Sequence, residues 1–197
     1  VGYIGKKQAA PILLEGLSKL EYRGYDSAGL CIYHNQQFKI AKVPGRLSKL
    51  CELTQSGAAI PGCMGIGHTR WATHGAPSYE NSHPQLSADG KICLVHNGII
   101  ENYLALREQL QAAGKRFRSD TDTEVAANLI EFCYEQEGDF RRAVLRAAAQ
   151  LRGSYAFGIL CLDCPDTMIG IKKDSPMIFG FGQGENFIAS DVPAILK

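Results

Sequence analysis

The segment GHTRWATHG, residues 67–75, is the densest group of side chains able to do chemistry. It contains the only tryptophan, Trp71, together with Arg70, two histidines and two threonines. A guanidinium is a planar fork of donors that can grip a carboxylate, and an indole can form a pocket wall. The segment therefore favours a site for a small ligand that carries a carboxylate. From the residues alone, the alternative is a surface turn in which Arg70 and Trp71 only pack.

Metal binding is a second alternative for the same region. His68, His74 and His83 are spaced by six and nine positions, and Glu80 lies nearby. This spacing fits no standard zinc pattern, and no cysteine pair accompanies it. The sequence therefore predicts no metal site.

The segment VHNGIIEN places Asn97 and Gly98 after an apolar strand. An asparagine amide and a glycine backbone N–H are the donors from which oxyanion holes are built. Asn-Gly is also the strongest short signal for a type I′ hairpin turn. Against the turn, the residues that follow lead into a predicted helix and not into a pairing strand.

The segment SDTDTEV carries Asp120, Asp122 and Glu124 at a predicted helix start, where Ser119 or Asp120 can cap the helix. Carboxylates in this position are favoured by the helix dipole. They can also hold an ammonium group, although the residues alone favour the capping role.

The segment LEYRGYDSAG contains Arg23, two tyrosines and Asp26 between a predicted helix and a predicted strand. Such residues can form a buried polar network. We expect its role to be structural, orienting what lies beside it.

The elements that must position these residues follow from apolar periodicity. Strands are predicted at VGYIG, at the hairpin SAGLCIYH/QFKIAKV, and at CMGIGHTRWAT and KICLVHNGII. Helices are predicted at AAPILLEGLSKLEYR, GRLSKLCELT, ENYLALREQLQAAG, TDTEVAANLIEFCYEQEG, ending at Gly138, and DFRRAVLRAAAQL. SYAFGILCLD, TMIGIKK, PMIFGFG and NFIAS predict an antiparallel meander, and SDVPAILK the start of a further helix. Strands at both ends with helices between them indicate an α+β fold of sheet layers covered by helices.

The composition is that of one globular domain, 1–197. The hydrophobic share is 45%, the charged share 21% and the formal net charge +1. Nothing here suggests a nucleic-acid or membrane partner, and no apolar run approaches the ~18 residues of a membrane span. Seven cysteines, an odd number scattered through apolar stretches, make a poor disulfide framework and favour a cytoplasmic protein.

Taken together, these segments resemble one family, the glutaminase domain of glutamine–fructose-6-phosphate aminotransferases. LEYRGYDSAG, GHTRWATHG, VHNGIIENY, SDTDTEV and GENFIASD match its signatures in order and with comparable spacing. The resemblance runs from Val1 to the last residues. It implies an N-terminal-nucleophile (Ntn) hydrolase fold, an αββα sandwich of antiparallel sheets. It also implies hydrolysis of L-glutamine to glutamate and ammonia, with no cofactor and no metal.

The resemblance places the nucleophile, a cysteine, three positions before Val1. An N-terminal cysteine combines a strong nucleophile with an α-amino group whose pKa, roughly 7.7–8.0, suits a general base. In this scheme Asn97 and Gly98 stabilise the oxyanion as the thiolate attacks the side-chain amide, and Arg23 braces the N-terminal strand. The sequence begins within a strand, which agrees with a fragment that lacks its first residues.

The resemblance also implies how glutamine is held. Arg70 clamps the α-carboxylate, assisted by Thr73 and His74 of the same loop. Asp122 holds the α-ammonium group, and Trp71 lies on a mobile loop that closes over the substrate.

The partners implied are L-glutamine and the sugar-isomerase or synthase domains of the same parent chain, as a homodimer of the full-length protein. The ammonia released would serve the conversion of fructose 6-phosphate to glucosamine 6-phosphate. The sequence departs from the family at NSHPQ, where NAHPH is usual, and at 172–176, where RSGSP is frequent. Neither departure touches the expected clamp.

A non-catalytic glutamine-binding or regulatory module is the alternative function. It follows if the N-terminal cysteine is absent from the molecule itself. Binding of glutamine without turnover would identify this case.

Overall fold

The computed structural model describes residues 1–71 and 77–196, with the backbone alone for Arg23. The strands in these ranges are β1 (Gly2–Ile4), β2 (Ser27–His34), β3 (Gln37–Pro44), β4 (Met64–Arg70), β5 (Gln85–Leu86), β6 (Ile92–Ile100), β7 (Gly153–Cys161), β8 (Met168–Lys173), β9 (Ile178–Gly182) and β10 (Glu185–Ala189). The helices are α1 (Ala9–Ser18), α2 (Leu47–Leu53), α3 (Tyr103–Ala112), α4 (Asp122–Glu137) and α5 (Phe140–Ala148).

The strands form two antiparallel sheets that stack face to face. The first has the order β3-β2-β4-β1-β10-β9 and the second the order β5-β6-β7-β8. Helices α1 and α2 pack on the first sheet, while α4 packs on the second and carries α3 and α5. The layers are therefore helix, sheet, sheet, helix, and the predicted αββα sandwich is confirmed. None of the helices in the described ranges is both long and apolar enough to cross a bilayer.

Three apolar clusters hold these layers together. One joins α1 and α2 to the first sheet and includes Tyr3, Leu13 and Leu30. A larger cluster lies between the second sheet and its helices. A small cluster fills the space between the sheets, and its buried members are Cys31, Met64, Ile66, Cys93, Val95 and Leu160. The relative position of the two sheets therefore depends on this cluster and on the six partly buried hydrophobic side chains that pack against it.

Local signals in the sequence predict two of the element ends correctly, whereas α1 ends at Ser18 and not at the predicted Arg23. The β2–β3 hairpin turns at Asn35 and Gln36, whose φ angles of 49° and 58° are those a type I′ turn requires. Helix α4 ends at Gly138, with φ 65°. In SDVPAILK, the predicted helix start is a 3₁₀ turn at Val192–Ala194.

The predicted four-strand meander is wrong. Strands β7 and β8 pair in the second sheet, whereas β9 and β10 pair in the first. The chain leaves the second sheet after β8 through Asp174, whose φ is 60°. Alternating apolar residues predict a strand and its buried face, but both sheets bury such a face, so the pattern does not assign the strand to either sheet.

The predicted cap of α4 is also corrected. Thr121 is the N-cap residue, and its hydroxyl accepts from the Glu124 backbone N–H at 3.2 Å. Ser119 lies two residues too early for this role, and its hydroxyl donates to the Glu124 carboxylate at 2.7 Å.

Candidate functional site

A cavity of about 250 Å³ opens where β1, β4, β6 and the first turn of α4 meet. Five residues predicted for the site line it: Arg70, Trp71, Asn97, Gly98 and Asp122. Val1, at the start of the described chain, lines it too. Thr73, His74 and the side chain of Arg23 lie outside what the structure describes.

Arg70 is the last residue of β4, and its side chain is brought to the cavity by strand alternation. Arg70 is only 4% exposed. Its carbonyl oxygen accepts from the Asp26 backbone N–H at 3.0 Å, which ties the LEYRGYDSAG segment to the end of the strand. Burial lowers the pKa of Arg70, and the negative charges of Asp122 and Asp26 oppose that shift. A guanidinium stays charged under these conditions.

Asp122 is the first residue of α4 and is 4% exposed. Its Oδ2 accepts from the Ile100 backbone N–H at 2.9 Å, and its Oδ1 lies 3.7 Å from Nδ1 of His96. The N-terminal end of a helix stabilises a carboxylate. The cavity is therefore bordered by a fixed cation, Arg70, and a fixed anion.

The other two acidic residues of SDTDTEV, Asp120 and Glu124, make hydrogen bonds within the surrounding loops. Glu124 accepts from the backbone N–H groups of Arg118 and Ser119 at 2.8 and 2.7 Å. The backbone N–H of Asp120 donates to Oδ1 of Asn81 at 2.9 Å. Of the three carboxylates, Asp122 is the one that lines the cavity.

Asn97 and Gly98 lie inside β6, where they pair with Ala156 and Tyr155 of β7. The alternative of a type I′ turn is therefore excluded. Gly98 has a φ of 125°, and a Cβ at this position would lie 2.0 Å from the Ser154 carbonyl oxygen. Only glycine fits here. Both residues are exposed and line the cavity.

Two buried histidines stand behind Asn97. Nε2 of His68 lies 2.9 Å from Oδ1 of Asn97, and Nδ1 of His68 lies 3.3 Å from Nδ1 of His83. Burial lowers the pKa of His68 to about 3 and lowers that of His83 well below its usual value. Both rings are therefore neutral near pH 7.

A third histidine, His96, contacts the anion side of the cavity. Its Nδ1 lies 3.0 Å from the Thr123 hydroxyl, and its ring packs on Phe157 with centroids 4.9 Å apart. Its Nε2 is buried, and no hydrogen-bond partner for it lies within the described part of the chain.

Metal binding gains no support from the histidines. His68 and His83 are engaged with each other and with Asn97, and His74 lies outside the described ranges. Within those ranges the carboxylates that approach one another as metal ligands would are Asp89, Glu131 and Glu135. The ammonium group of Lys115 contacts all three, at 2.6 to 3.2 Å.

The edge of the cavity at Val1 is an antiparallel ladder. The Val1 nitrogen donates to the Gly67 carbonyl oxygen at 2.8 Å, and the Gly67 N–H donates back to Val1 at 2.8 Å. Gly2 pairs with Ile66 in the same register. The N-terminal end of β1 and the C-terminal end of β4 therefore meet at the cavity.

Sequence reasoning missed several residues of the cavity. Its lining also contains Leu17, Leu20, His68, Thr69, His83, His96, Thr121, Thr123, Pro176 and Ser190. For His68 the signal was available: it is two positions before Arg70 on a strand, so alternation places both on one face. For His83, 15 positions further along the chain, no local pattern gives the contact.

Comparisons with known proteins identify the family of the chain. A family model described as "glutamine amidotransferase domain" matches residues 53–197. Over all 197 residues the chain is 58% identical to a glutamine–fructose-6-phosphate aminotransferase (isomerizing) of Caldanaerobacter subterraneus subsp. tengcongensis and 56% identical to that of Clostridium tetani. It covers 32% of each, so it spans about a third of the length of these curated relatives.

Solved structures give the same result for the fold. The chain superposes on glutamine phosphoribosylpyrophosphate amidotransferase from B. subtilis, complexed with ADP and GMP, with a TM-score of 0.83 at 28% identity. The match covers 98% of this chain and 42% of that one. A structure described as the allosteric regulatory enzyme of purine biosynthesis matches with a TM-score of 0.84 at 29% identity, and 98% and 42% are covered. The chain belongs to the glutamine amidotransferase domain family.

Proposed function

We propose that this domain hydrolyses L-glutamine to glutamate and ammonia. The observation that carries the proposal is the pairing of opposite charges, Arg70 and Asp122, around one cavity that Asn97 and Gly98 also line. A free amino acid carries a carboxylate and an ammonium group on one carbon. Arg70 can bind the carboxylate and Asp122 the ammonium group. The glutamine side chain can then reach the hydrogen-bond donors on β6.

The nucleophile in this proposal is a cysteine three positions before Val1. Continued in register, β1 would set that residue opposite Arg70, because Gly2 pairs with Ile66 and Val1 with Gly67. Residues directly opposite in an antiparallel pair point to the same face. Gly2 faces the second sheet, where a Cβ on it would lie 2.6 Å from the Met168 sulfur. By alternation the cysteine faces that sheet too, on the side of Asn97.

The chemistry is acyl transfer in two steps. The thiolate attacks the side-chain amide carbon, and the α-amino group takes up the thiol proton and passes it to the departing ammonia. The negative charge on the carbonyl oxygen is stabilised by N–H groups of Asn97 and Gly98. Water then attacks the thioester, and glutamate and the free thiol are released.

Arg70 binds the α-carboxylate and Asp122 the α-ammonium group in this scheme, with Thr73 and His74 as further contacts to the carboxylate. In the same scheme Trp71, which is 57% exposed and whose ring centroid lies 5.5 Å from that of Tyr25, covers the ligand. Arg23 braces the strand that carries the nucleophile.

We further propose that the ammonia serves the conversion of fructose 6-phosphate to glucosamine 6-phosphate. This follows from the names of the relatives and from the share of their length that the chain covers. The sugar-isomerase domains would belong to the same cytoplasmic polypeptide, acting as a homodimer, and residues 1–197 would be its glutaminase domain.

The test uses the full-length natural protein. Mass spectrometry defines its N-terminus, and glutamate and ammonia released from glutamine are measured with and without fructose 6-phosphate. We expect an N-terminal cysteine, equimolar glutamate and ammonia without the sugar, and glucosamine 6-phosphate with it. Its Cys→Ala variant should bind glutamine in calorimetry without turnover. An active protein that truly starts at Val1 would overturn the mechanism, and binding without turnover in the natural protein would instead identify a regulatory module.

A further inference from the structure

A side-chain amide can face a ligand with either of two ends. The oxygen of Asn97 would repel a developing oxyanion, whereas its NH₂ group would stabilise it. The two orientations have nearly the same shape, so packing alone does not choose between them. A hydrogen-bond donor on the side away from the ligand that binds the amide oxygen selects the orientation in which the NH₂ group faces the ligand.

His68 is placed to be that donor. It lies on β4, on the face that meets the second sheet, and is 8% exposed. Its Nε2 lies 2.9 Å from Oδ1 of Asn97 on β6. This contact joins the two sheets directly behind the cavity and leaves both N–H bonds of the amide for other partners.

The protonation of His68 depends on its other neighbour. A neutral imidazole carries one N–H, so His68 donates through Nε2 only if its Nδ1 is an acceptor. Nδ1 faces Nδ1 of His83 at 3.3 Å, which must then carry a proton. The low pKa of His68, about 3 because of burial, keeps this ring in a neutral form. The result is a directed chain from His83 to His68 to Asn97.

The fold holds His83 firmly in this chain. It is 6% exposed, and its ring meets that of His68 edge to face with centroids 4.6 Å apart. Gly29 pairs with His68 in the first sheet, and a Cβ on Gly29 would lie 2.2 Å from the His83 carbonyl oxygen. Strand β2 therefore lacks a side chain where the segment carrying His83 passes.

We propose that His68, supported by His83, is a positioning residue that orients the Asn97 amide with its N–H bonds toward the oxyanion. The inference rests on the proposed glutaminase function and deepens it. His68 acts through Asn97 and does not contact the reacting atoms.

The test compares His68→Leu with His68→Gln in the full-length protein. Leucine removes the donor, while the glutamine amide nitrogen can take the place of Nε2. We expect His68→Leu to lower kcat for glutamine hydrolysis by about 10- to 100-fold, because losing a whole oxyanion donor costs about 10²- to 10³-fold. KM for glutamine should change less than about 2-fold, and His68→Gln should recover most of kcat. An equal loss in both variants would overturn the proposal.

A double-mutant cycle with Asn97→Ala separates positioning from general damage. If His68 acts through Asn97, His68→Leu should change kcat less than about 2-fold in the Asn97→Ala background. A full, independent loss there would contradict the inference. If His68→Leu fails to fold, His83→Phe replaces it in the cycle with Asn97→Ala, because phenylalanine keeps the ring contact but removes the Nδ1 proton.

The two proposals fail in different ways. A natural protein that does not release glutamate from glutamine contradicts the glutaminase function itself. A natural protein that is active, with a folded His68→Leu variant of unchanged kcat, contradicts only the role of His68.

Discussion

Two of the buried carboxylates on helix α4, Glu131 and Asp122, have very different surroundings. Glu131, fully buried, accepts from the Ser87 hydroxyl, from the Lys115 ammonium group at 3.2 Å, and from the backbone N–H groups of Asp89 and Lys91 at 3.3 and 3.2 Å. Asp122, at the start of the same helix, lines a cavity with Arg70 on the other side. One anion is enclosed by its own chain, and the other borders space for a ligand.

The difference distinguishes a structural charge from a candidate binding charge. Around Glu131 the compensating cation, Lys115, is in direct contact, and hydrogen bonds to Glu135, Asp89 and Glu131 raise the pKa of Lys115 although burial alone would lower it. At the cavity, the cation Arg70 lies on a strand of the first sheet, whereas the anion Asp122 lies on the helix that packs on the second sheet. Glu131 and Asp122 are both buried and both acidic. They differ because only Asp122 lines the cavity.

The largest effect is expected from breaking the enclosed cluster. Lys115→Met leaves Glu131 buried beside two other carboxylates, and loss of one partner of a buried ion pair costs about 3 kcal/mol or more. We expect the free energy of unfolding, from urea titration, to fall by about that amount. The glutaminase kcat/KM of the folded protein should stay within about 2-fold of the parent value. A loss of activity without a loss of stability would reverse our assignment of the cluster.

The next effect concerns the candidate binding charge, Asp122. Asp122→Asn keeps an acceptor for the Ile100 N–H but removes the charge that pairs with an α-ammonium group. We expect kcat/KM for glutamine to fall about 100-fold, mainly through KM, since a hydrogen bond to a charged group contributes about 1.5–3 kcal/mol. Glu131→Gln is the matched control on the same helix and should lower stability but not kcat/KM. Similar kinetic losses in both variants would contradict the distinction.

The smallest effect is a dependence of stability on pH. His68 titrates at about pH 3 when folded and near 6.5 when unfolded, because burial disfavours the imidazolium. The unfolded chain therefore binds more protons between these values, and stability is complete above pH 6.5 and lost as the pH falls. Between pH 6.5 and about 5.5, we expect the unfolding free energy to fall by about 1 kcal/mol more in the natural protein than in His68→Gln. Equal slopes would contradict a buried neutral His68.

Most elements could be predicted from the sequence because their signals are local. Asn35 and Gln36 form the turn between two alternating strands, and Gly138 ends the helix where the apolar periodicity stops. The crossing between sheets after Asp174 could not be predicted in this way. It depends on which sheet accepts β9, and that is decided by packing between residues distant in sequence.

In the candidate site, too, local signals could be predicted from the sequence and contacts between distant residues could not. Arg70, Asn97 and Asp122 stand in dense motifs, and their residue types indicate the charges and donors a ligand would meet. The contact of His68 with Asn97 has no local signal, because Asn97 is 29 positions away and on the other sheet. The orientation of His68 toward Asn97 follows from the stacking of the sheets, which the sequence pattern does not give.

The small cluster between the two sheets has a consequence for substrate choice. Arg70 extends from the first sheet, whereas Asp122 and Asn97 belong to the half built on the second. Side chains such as Ile66 and Leu160, which fill the gap between the sheets, therefore act as spacers between these groups. If the proposed function is correct, the length of amino acid that fits would depend on these spacers, although none of them lines the cavity.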